Sequence, residues 1–153
     1  MTLLSKRNDK AGSDRVCPVT GLKDIHKPQW AYRNDHGSYQ VSFRVLGKRI
    51  MLSRNVGYAT YDDMVKAIEV ADRVEAEGMA EGCPCVHIQD FTDLEGISIE
   101  ARKLYIKNIT NHERIRCMIF FGVSSMFKMS INLAKRINII HFDTYIVDSQ
   151  DEA

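Results

Sequence analysis

The segment DFTDLEGISIEAR, residues 90–102, contains the side chains of this sequence that are best suited to chemistry. It begins where an apolar run ends, and it leads to a serine at the start of a helical pattern. A helix N-terminus of this kind can hold an anion, including a phosphate. The residues of the candidate phosphosite or anion site are Asp90, Thr92, Asp93 and Ser98, with Ser124 and Ser125 at the next strand-to-helix junction.

An ordinary structural role accounts for the same residues. Serine is a favoured N-cap and contributes about 1 kcal/mol there. Ser98 is predicted to cap the middle helix by accepting from the N–H of Glu100 or Ala101. Asp90 and Asp93 are suited to bonding backbone amides in a turn. The sequence leaves both interpretations open.

No residue arrangement typical of catalysis is present. The sequence lacks a Gly-x-Ser-x-Gly motif, a P-loop and a dinucleotide-binding Gly-x-Gly-x-x-Gly. Cys83, Cys85 and His87 share one face of a predicted strand and are three of the four ligands that zinc needs. The dipeptides Cys17-Pro18 and Cys83-Pro84 also occur in haem-regulatory motifs. We predict free thiols, no cofactor, no metal and no enzyme activity for this chain.

The composition argues against several classes of protein. The chain has 153 residues, with 21 Lys or Arg and 20 Asp or Glu, and its formal net charge is +1. This balance argues against nucleic-acid partners and acidic membranes. No apolar run approaches the roughly 20 residues of a membrane-spanning helix, and the N-terminus does not resemble a signal peptide. We therefore predict a cytoplasmic, single-domain protein.

Hydrophobic periodicity predicts the elements that position these residues. Alternation over 39–46 and 48–54 predicts an antiparallel hairpin, with 30–33 as a third antiparallel strand. Helices and strands then alternate, which indicates a parallel sheet. The predicted order is a helix from Thr60 to about 77, strand 85–91, a helix from 98 to about 112, strand 115–122, a helix from 124 to about 137, and strand 141–147. Thr60 and Asp63, three positions apart, predict a capping box at the start of the first helix.

The third predicted helix and the two chain ends add further expectations. Met126, Met129, Leu133 and Ile137 form one apolar stripe of the helix, beside a second stripe of Phe127, Ile131 and Ala134. These stripes predict either burial against the sheet or a partner face. Residues 1–28 are predicted as a tail and loop, 29–148 as the domain, and 149–153 as the start of a linker to a missing C-terminal region.

The order of elements resembles the STAS domain of bacterial anti-sigma-factor antagonists. In that family a strand ending in Asp leads to a Ser or Thr that a partner kinase phosphorylates, and Asp90 and Ser98 match those positions. The usual motif has Asp directly before the phosphorylated residue, whereas Ile97 stands there in this sequence. The resemblance implies an α/β STAS-like sandwich, in which an antiparallel hairpin leads into the parallel strands of a mixed sheet with three main helices.

A divergent STAS-like group is a closer resemblance. Its Ser-x-Glu-Ala-Arg segment matches 98–102, and the segment 17–22 resembles one that precedes the domain in some hybrid histidine kinases. The resemblance implies a non-catalytic regulatory or sensory module, N-terminal in a hybrid sensor histidine kinase, that contacts a protein partner or the C-terminal kinase region. The alternative is a sensor for a small ligand or haem at the carboxyl ends of the parallel strands.

Self-association is also expected, because sensor modules of dimeric kinases commonly form dimers. We predict a weak homodimer with Trp30, Tyr58, Tyr61 and the third helix as contact groups.

Overall fold

The computed structural model describes residues 15–153, in which eight strands form one mixed sheet and three helices pack on one of its faces. The sheet order is β1-β2-β4-β5-β6-β7-β8, and β3 also pairs with β4. The strands are β1 Arg15–Val16, β2 Lys23–Ile25, β3 Ala31–Arg33, β4 Tyr39–Leu46, β5 Ile50–Ala59, β6 Cys85–Ile97, β7 Ile115–Phe121 and β8 Asp143–Ile146. The helices are α1 Tyr61–Gly78, α2 Ile99–Thr110 and α3 Ser125–Arg136.

The predicted fold class is confirmed. Strands β4 and β5 form an antiparallel hairpin, with Leu46 opposite Ile50 at its tight end. Strands β5, β6, β7 and β8 then pair in parallel, each with the next. Strand β7 lies between β6 and β8, as its unbroken apolar run predicts for a strand inside a parallel sheet.

Strand β6 is longer than the predicted strand 85–91. It continues to Ile97 because its backbone stays paired with β5 through two register shifts, so that Asp93 lies opposite Val56 and Ile97 opposite Ala59. The polar run after Phe91 suggested a turn, but backbone pairing does not require apolar side chains. Asp90, Thr92 and Asp93 therefore lie in a strand and not in the predicted turn, but Asp90 makes its predicted bond to a local backbone amide, that of Thr92.

The stretch 16–28, predicted as a loop, contributes to the sheet. Asp24 and Ile25 of β2 pair with Leu46 and Val45 of β4, and three residues are too few to show a periodicity in the sequence. Trp30 belongs to a one-turn 3-10 helix at 28–30 rather than to β3. The predicted tail falls largely on residues 1–14, which lie outside the described residues, and residues 148–152 form turns.

The main core lies between the sheet and its helical layer. Trp30, Tyr39, Val45 and Val74 are fully or almost fully buried there. Burial of a large apolar side chain contributes about 1.5 to 3 kcal/mol. The indole N–H of Trp30 donates to Glu77 Oε2 of α1 at 2.9 Å, so its polar atom is also satisfied. No helix within residues 15–153 is long and apolar enough to cross a membrane.

The buried carboxylate of Asp63 fixes the start of α1. It forms the predicted capping box with Thr60 and also accepts from the Tyr32 hydroxyl at 3.0 Å and from Asn34 Nδ2 at 3.1 Å. Burial alone would raise the pKa of Asp63, but the hydrogen bonds from Thr60, Asn34 and Tyr32 outweigh it and the pKa lies below its usual value. Asp63 thereby joins β3, the following turn and α1.

A second polar cluster holds the opposite end of α1. Arg114 donates to Glu75 Oε1 at 2.7 Å, to the Ala80 carbonyl at 2.6 Å and to the Cys83 carbonyl at 3.2 Å. His112 Nε2 lies 2.7 Å from Glu75 Oε2. The guanidinium therefore connects the C-terminal half of α1, the loop before β6 and the start of β7.

We expect Arg114→Met to lower the free energy of unfolding by about 2 kcal/mol, because it leaves a mostly buried carboxylate without its main cation. Urea unfolding measures this change. Arg116→Met is the matched control, since Arg116 is exposed and surface changes stay within about 0.5 kcal/mol. Equal losses in the two variants would contradict this role.

Candidate functional site

Two helix N-termini lie at the carboxyl edge of the sheet. Ser98 Oγ accepts from the Ala101 N–H at 3.1 Å and Ser124 Oγ accepts from the Phe127 N–H at 3.3 Å, so both serines are N-caps. Ser125 is the exposed first residue of α3. The predicted cap at Ser98 is observed. Its role as a phosphosite remains a prediction.

The predicted acidic residues are engaged by an arginine from the neighbouring strand. Arg54 of β5 contacts Asp93 Oδ2 through Nη2, and its Nε lies 3.9 Å from Asp90 Oδ2. The hydrogen bond to Asp93 raises the pKa of Arg54 above its usual value. Asp90 Oδ1 also accepts from the Thr92 N–H at 2.9 Å. Both carboxylates therefore form ion pairs with Arg54 at the surface, and Asp90 also bonds to a nearby backbone amide.

The turn from β7 to α3 passes directly against Thr92. Gly122 has a φ of +68°, and a Cβ built on it would lie 2.4 Å from the Thr92 backbone nitrogen. A side chain is excluded by both the left-handed backbone and this contact. The glycine therefore allows β6 and the start of α3 to approach each other.

We name the space between these elements the edge groove. The end of β6, Arg102 of α2 and the first turns of α3 line it, and its volume is about 120 Å³. Arg102 Nε is buried and has no hydrogen-bond partner within residues 15–153. Of the six predicted site residues only Ser124 lines the groove, while Ser98 directly follows the groove residue Ile97.

Arg102 is a candidate site residue that the sequence did not single out. The sequence does place Arg102 near Ser98, because it stands four positions later and thus about one helical turn along α2. Its significance depends on the absence of a partner for Nε, which only the structure shows.

The sequence left burial and a partner face open for the two α3 stripes, and the structure buries only one of them. Ile131 is buried and Phe127 packs against the core. Met126, Met129, Leu133 and Ile137, which we call the α3 face, keep 67%, 68%, 58% and 57% of their surface exposed. The stripe of Phe127 and Ile131 therefore packs on the domain, and the α3 face points away from it.

Basic residues accompany the α3 face. The helix carries Lys128, Lys135 and Arg136 and no Asp or Glu. Lys135 Nζ donates to the Thr144 carbonyl of β8 at 2.8 Å, whereas Lys128 and Arg136 are exposed. The charged side chains of the helix that carries the α3 face are therefore all positive.

Other predicted contact and ligand residues have different surroundings. Trp30 is fully buried and is wrong as a dimer contact, whereas Tyr58 and Tyr61 are about half exposed. The four cysteines are free thiols, and burial raises the pKa of Cys85 to about 11. Within residues 15–153, no group of three His, Cys, Asp or Glu side chains is arranged to hold a metal ion.

A pair of phenylalanines connects the groove with the interior. Phe91 of β6 contacts Phe127 of α3 edge to face, with ring centroids 5.2 Å apart. Phe91, Leu94 and Ile97 line the edge groove and also an internal cavity on the other side of β6's end. These three side chains form the wall that the two spaces share.

One solved structure with a similar fold is that of an uncharacterized protein of the DUF3478 family from Shewanella loihica PV-4, which has a SpoIIAA-like fold. The match has a TM-score of 0.58 at 15% sequence identity and covers 76% of this chain and 90% of that one. No family model and no curated protein matches the sequence. The likeness shows a STAS-like fold.

The cap at Ser98 yields a stability prediction. We expect Ser98→Ala to lower the free energy of unfolding by about 1 kcal/mol and Ser98→Asp to leave it nearly unchanged, because Asp also caps and suits the helix dipole. Ser125→Ala is the matched control, since Ser125 lies one residue inside its helix and does not cap it. Thermal unfolding of the three variants measures the effect, and a loss in Ser125→Ala as large as in Ser98→Ala would refute it.

Proposed function

We propose that this chain is a non-catalytic regulatory domain of a bacterial signal-transduction protein, and that it binds a protein partner through the α3 face. The STAS-like fold fits such a role. The observation that carries the proposal is the exposure of four large apolar side chains in one row of α3. The row runs from Met126 to Ile137, about 16 Å along the helix at 1.5 Å per residue.

An exposed apolar row of this kind favours an interaction surface. Single exposed apolar residues are common, but a contiguous patch marks a contact site. Two of the four side chains are methionines, which adapt their shape to a partner. An amphipathic helix laid alongside α3 would cover the row with residues at i, i+3, i+4 and i+7.

The charge of α3 favours an acidic partner. Arg136, three positions after Leu133, borders the row, and the helix has no acidic residue. Two copies of this chain meeting through the same face would bring two positively charged helices together, and like charges in close contact are repelled. We therefore assign the face to an acidic amphipathic helix rather than to a second copy of the chain.

The proposal extends to the context of the domain. We assign it to the cytoplasm, as the N-terminal module of a hybrid sensor histidine kinase whose C-terminal kinase region is the partner. Support comes from the resemblance of 17–22 and 98–102 to segments of such proteins. The sequence of the complete gene product tests this part, because a gene product without a kinase core would exclude it.

The edge groove supports a second candidate function, the binding or attachment of an anion. Arg102 Nε is buried without a partner among residues 15–153, and the N-termini of α2 and α3 both adjoin the groove. Helix N-termini and a guanidinium favour phosphate or carboxylate. The anion is either a free ligand or a phosphate on Ser98. Glu95 also lines the groove but is exposed.

Binding of inorganic phosphate at the groove is tested by NMR titration of backbone amides. Saturable shifts are expected around Ser98 and Ser124 in the wild type and in Lys103→Gln, a control on the exposed side of α2. Arg102→Gln should lose at least tenfold in affinity, because a charge-assisted hydrogen bond contributes about 1.5 to 3 kcal/mol. Unchanged affinity in Arg102→Gln would exclude the groove as the anion site.

Partner binding is tested with two fluorescently labelled helical peptides. Both carry the same row of leucines, and their other charged positions are all Glu in one peptide and all Lys in the other. We expect saturable fluorescence anisotropy with the acidic peptide, weakened by salt, and none with the basic one. Met129→Ser combined with Leu133→Ser should weaken binding at least tenfold, because each lost apolar contact is worth about 1 kcal/mol or more.

The control for this experiment is Asn132→Ser, an exposed position on α3 outside the row. Its affinity should equal that of the wild type, and all variants should keep the wild-type melting temperature because the changed residues are exposed. Absence of saturable binding by the acidic peptide would contradict the proposal. A concentration-dependent dimer that the double variant abolishes would assign the face to a second copy instead.

A further inference from the structure

An internal cavity of about 70 Å³ lies between the sheet and helices α1 and α2. Strands β4, β5 and β6 form its floor, and α1 and α2 form its roof. Its lining is mainly apolar, with Phe43, Met51 and Ile109 among the contributors. Asp72 lines it as well and is exposed, so the cavity approaches the protein surface near that residue.

Polar side chains form three hydrogen-bonded pairs in the lining of this apolar space, two within the floor and one between floor and roof. The Tyr39 hydroxyl donates to Asn55 Oδ1 at 2.9 Å. His87 Nε2 lies 3.0 Å from Ser53 Oγ. The third pair joins Gln89 of β6 to the Tyr105 hydroxyl of α2 at 2.5 Å. Three such pairs exceed what is needed to pack a sheet against helices, since apolar residues would serve there at lower desolvation cost.

Each pair leaves one hydrogen-bonding atom of its members unused. His87 Nδ1, Gln89 Oε1 and Asn55 Nδ2 take no part in these three pairs. All three residues line the cavity, so these atoms can bond to a molecule inside it.

The floor carries no net charge at neutral pH. Burial lowers the pKa of His87 to about 3, so its ring is neutral and has one donor and one acceptor nitrogen. Burial also raises the pKa of Tyr39 and of Tyr105 well above the usual value, which keeps both phenols protonated. An anionic guest would lose its hydration without meeting an opposite charge on the floor. Two carboxylates line the roof, but Asp72 is exposed to solvent and Glu75 is already paired with Arg114, so a cationic guest gains little there.

We propose that this cavity binds a small uncharged molecule that has one hydrogen-bonding group and an apolar remainder. The polar group would pair with the unused atoms of His87 or Gln89, and the remainder would contact Phe43 and Met51. A dry cavity of about 150 Å³ holds benzene. This cavity has about half that volume, which scales to a guest of roughly three non-hydrogen atoms, and 1-propanol, with four, is close to this limit.

Small alcohols test this inference with matched probes. Titration with 1-propanol, followed by NMR of backbone amides and of the His87 ring nitrogens, should give saturable shifts at Ser53, His87 and Gln89. Propionate has a similar size but carries a charge, and it should give no saturable shift at these positions. Buried water is the competing content of a polar cavity, and water alone would leave the 1-propanol titration without saturation.

A variant that fills the cavity tests whether the guest binds there. Ala71→Leu adds a side chain on the cavity lining of α1 and should abolish the saturable shifts. Ala76→Leu makes the same change at an exposed position of the same helix and should retain them. Saturation that persists in Ala71→Leu, or that propionate reproduces, would overturn the inference. Met129→Ser with Leu133→Ser should bind 1-propanol like the wild type, so the result is independent of the α3 face.

Discussion

The parallel pairing of β6 on both of its edges is the constraint on which the candidate sites depend. Residues 86–90 are paired with β5 on one side and with β7 on the other. Beyond Asp90, the strand continues along β5 alone through two register shifts. The doubly paired half carries His87 and Gln89 into the cavity floor, and the singly paired half forms a wall of the edge groove. One strand therefore supports both spaces, with its more rigid half beneath the cavity.

The residues that first suggested chemistry have mainly structural roles. Ser98 and Ser124 cap helices, and Asp90 and Asp93 share the guanidinium of Arg54. A carboxylate held by an arginine on the surface is poorly placed to act as a base, because its charge is already compensated. The features that favour function lie on either side of this cluster, in the exposed row of α3 and in the polar floor of the cavity.

The sequence predicts what is local and misses what depends on packing. The hairpin, the parallel strands, the capping box at Thr60 and the cap at Ser98 follow from short-range periodicity and cap chemistry. The extension of β6 depends on pairing with β5, and short strand β2 depends on β4. Which stripe of α3 is buried and which is exposed depends on how the helix packs on the domain. The cavity and the unpaired Arg102 are properties of three-dimensional packing, so the sequence gives no signal for the cavity and an ambiguous one for Arg102.

The side chains of Phe91, Leu94 and Ile97 form a wall that the two spaces share. The Phe91 ring borders the cavity on one side and contacts Phe127, in the first turn of α3, on the other. A guest that shifts this ring must also repack Phe127, and with it the start of the helix that carries the exposed row. Coupling between two binding sites is reciprocal: a guest that raises the affinity for a partner has its own affinity raised by the same factor when the partner is bound. Guest binding and partner binding would therefore be linked through one aromatic contact, that of Phe91 with Phe127.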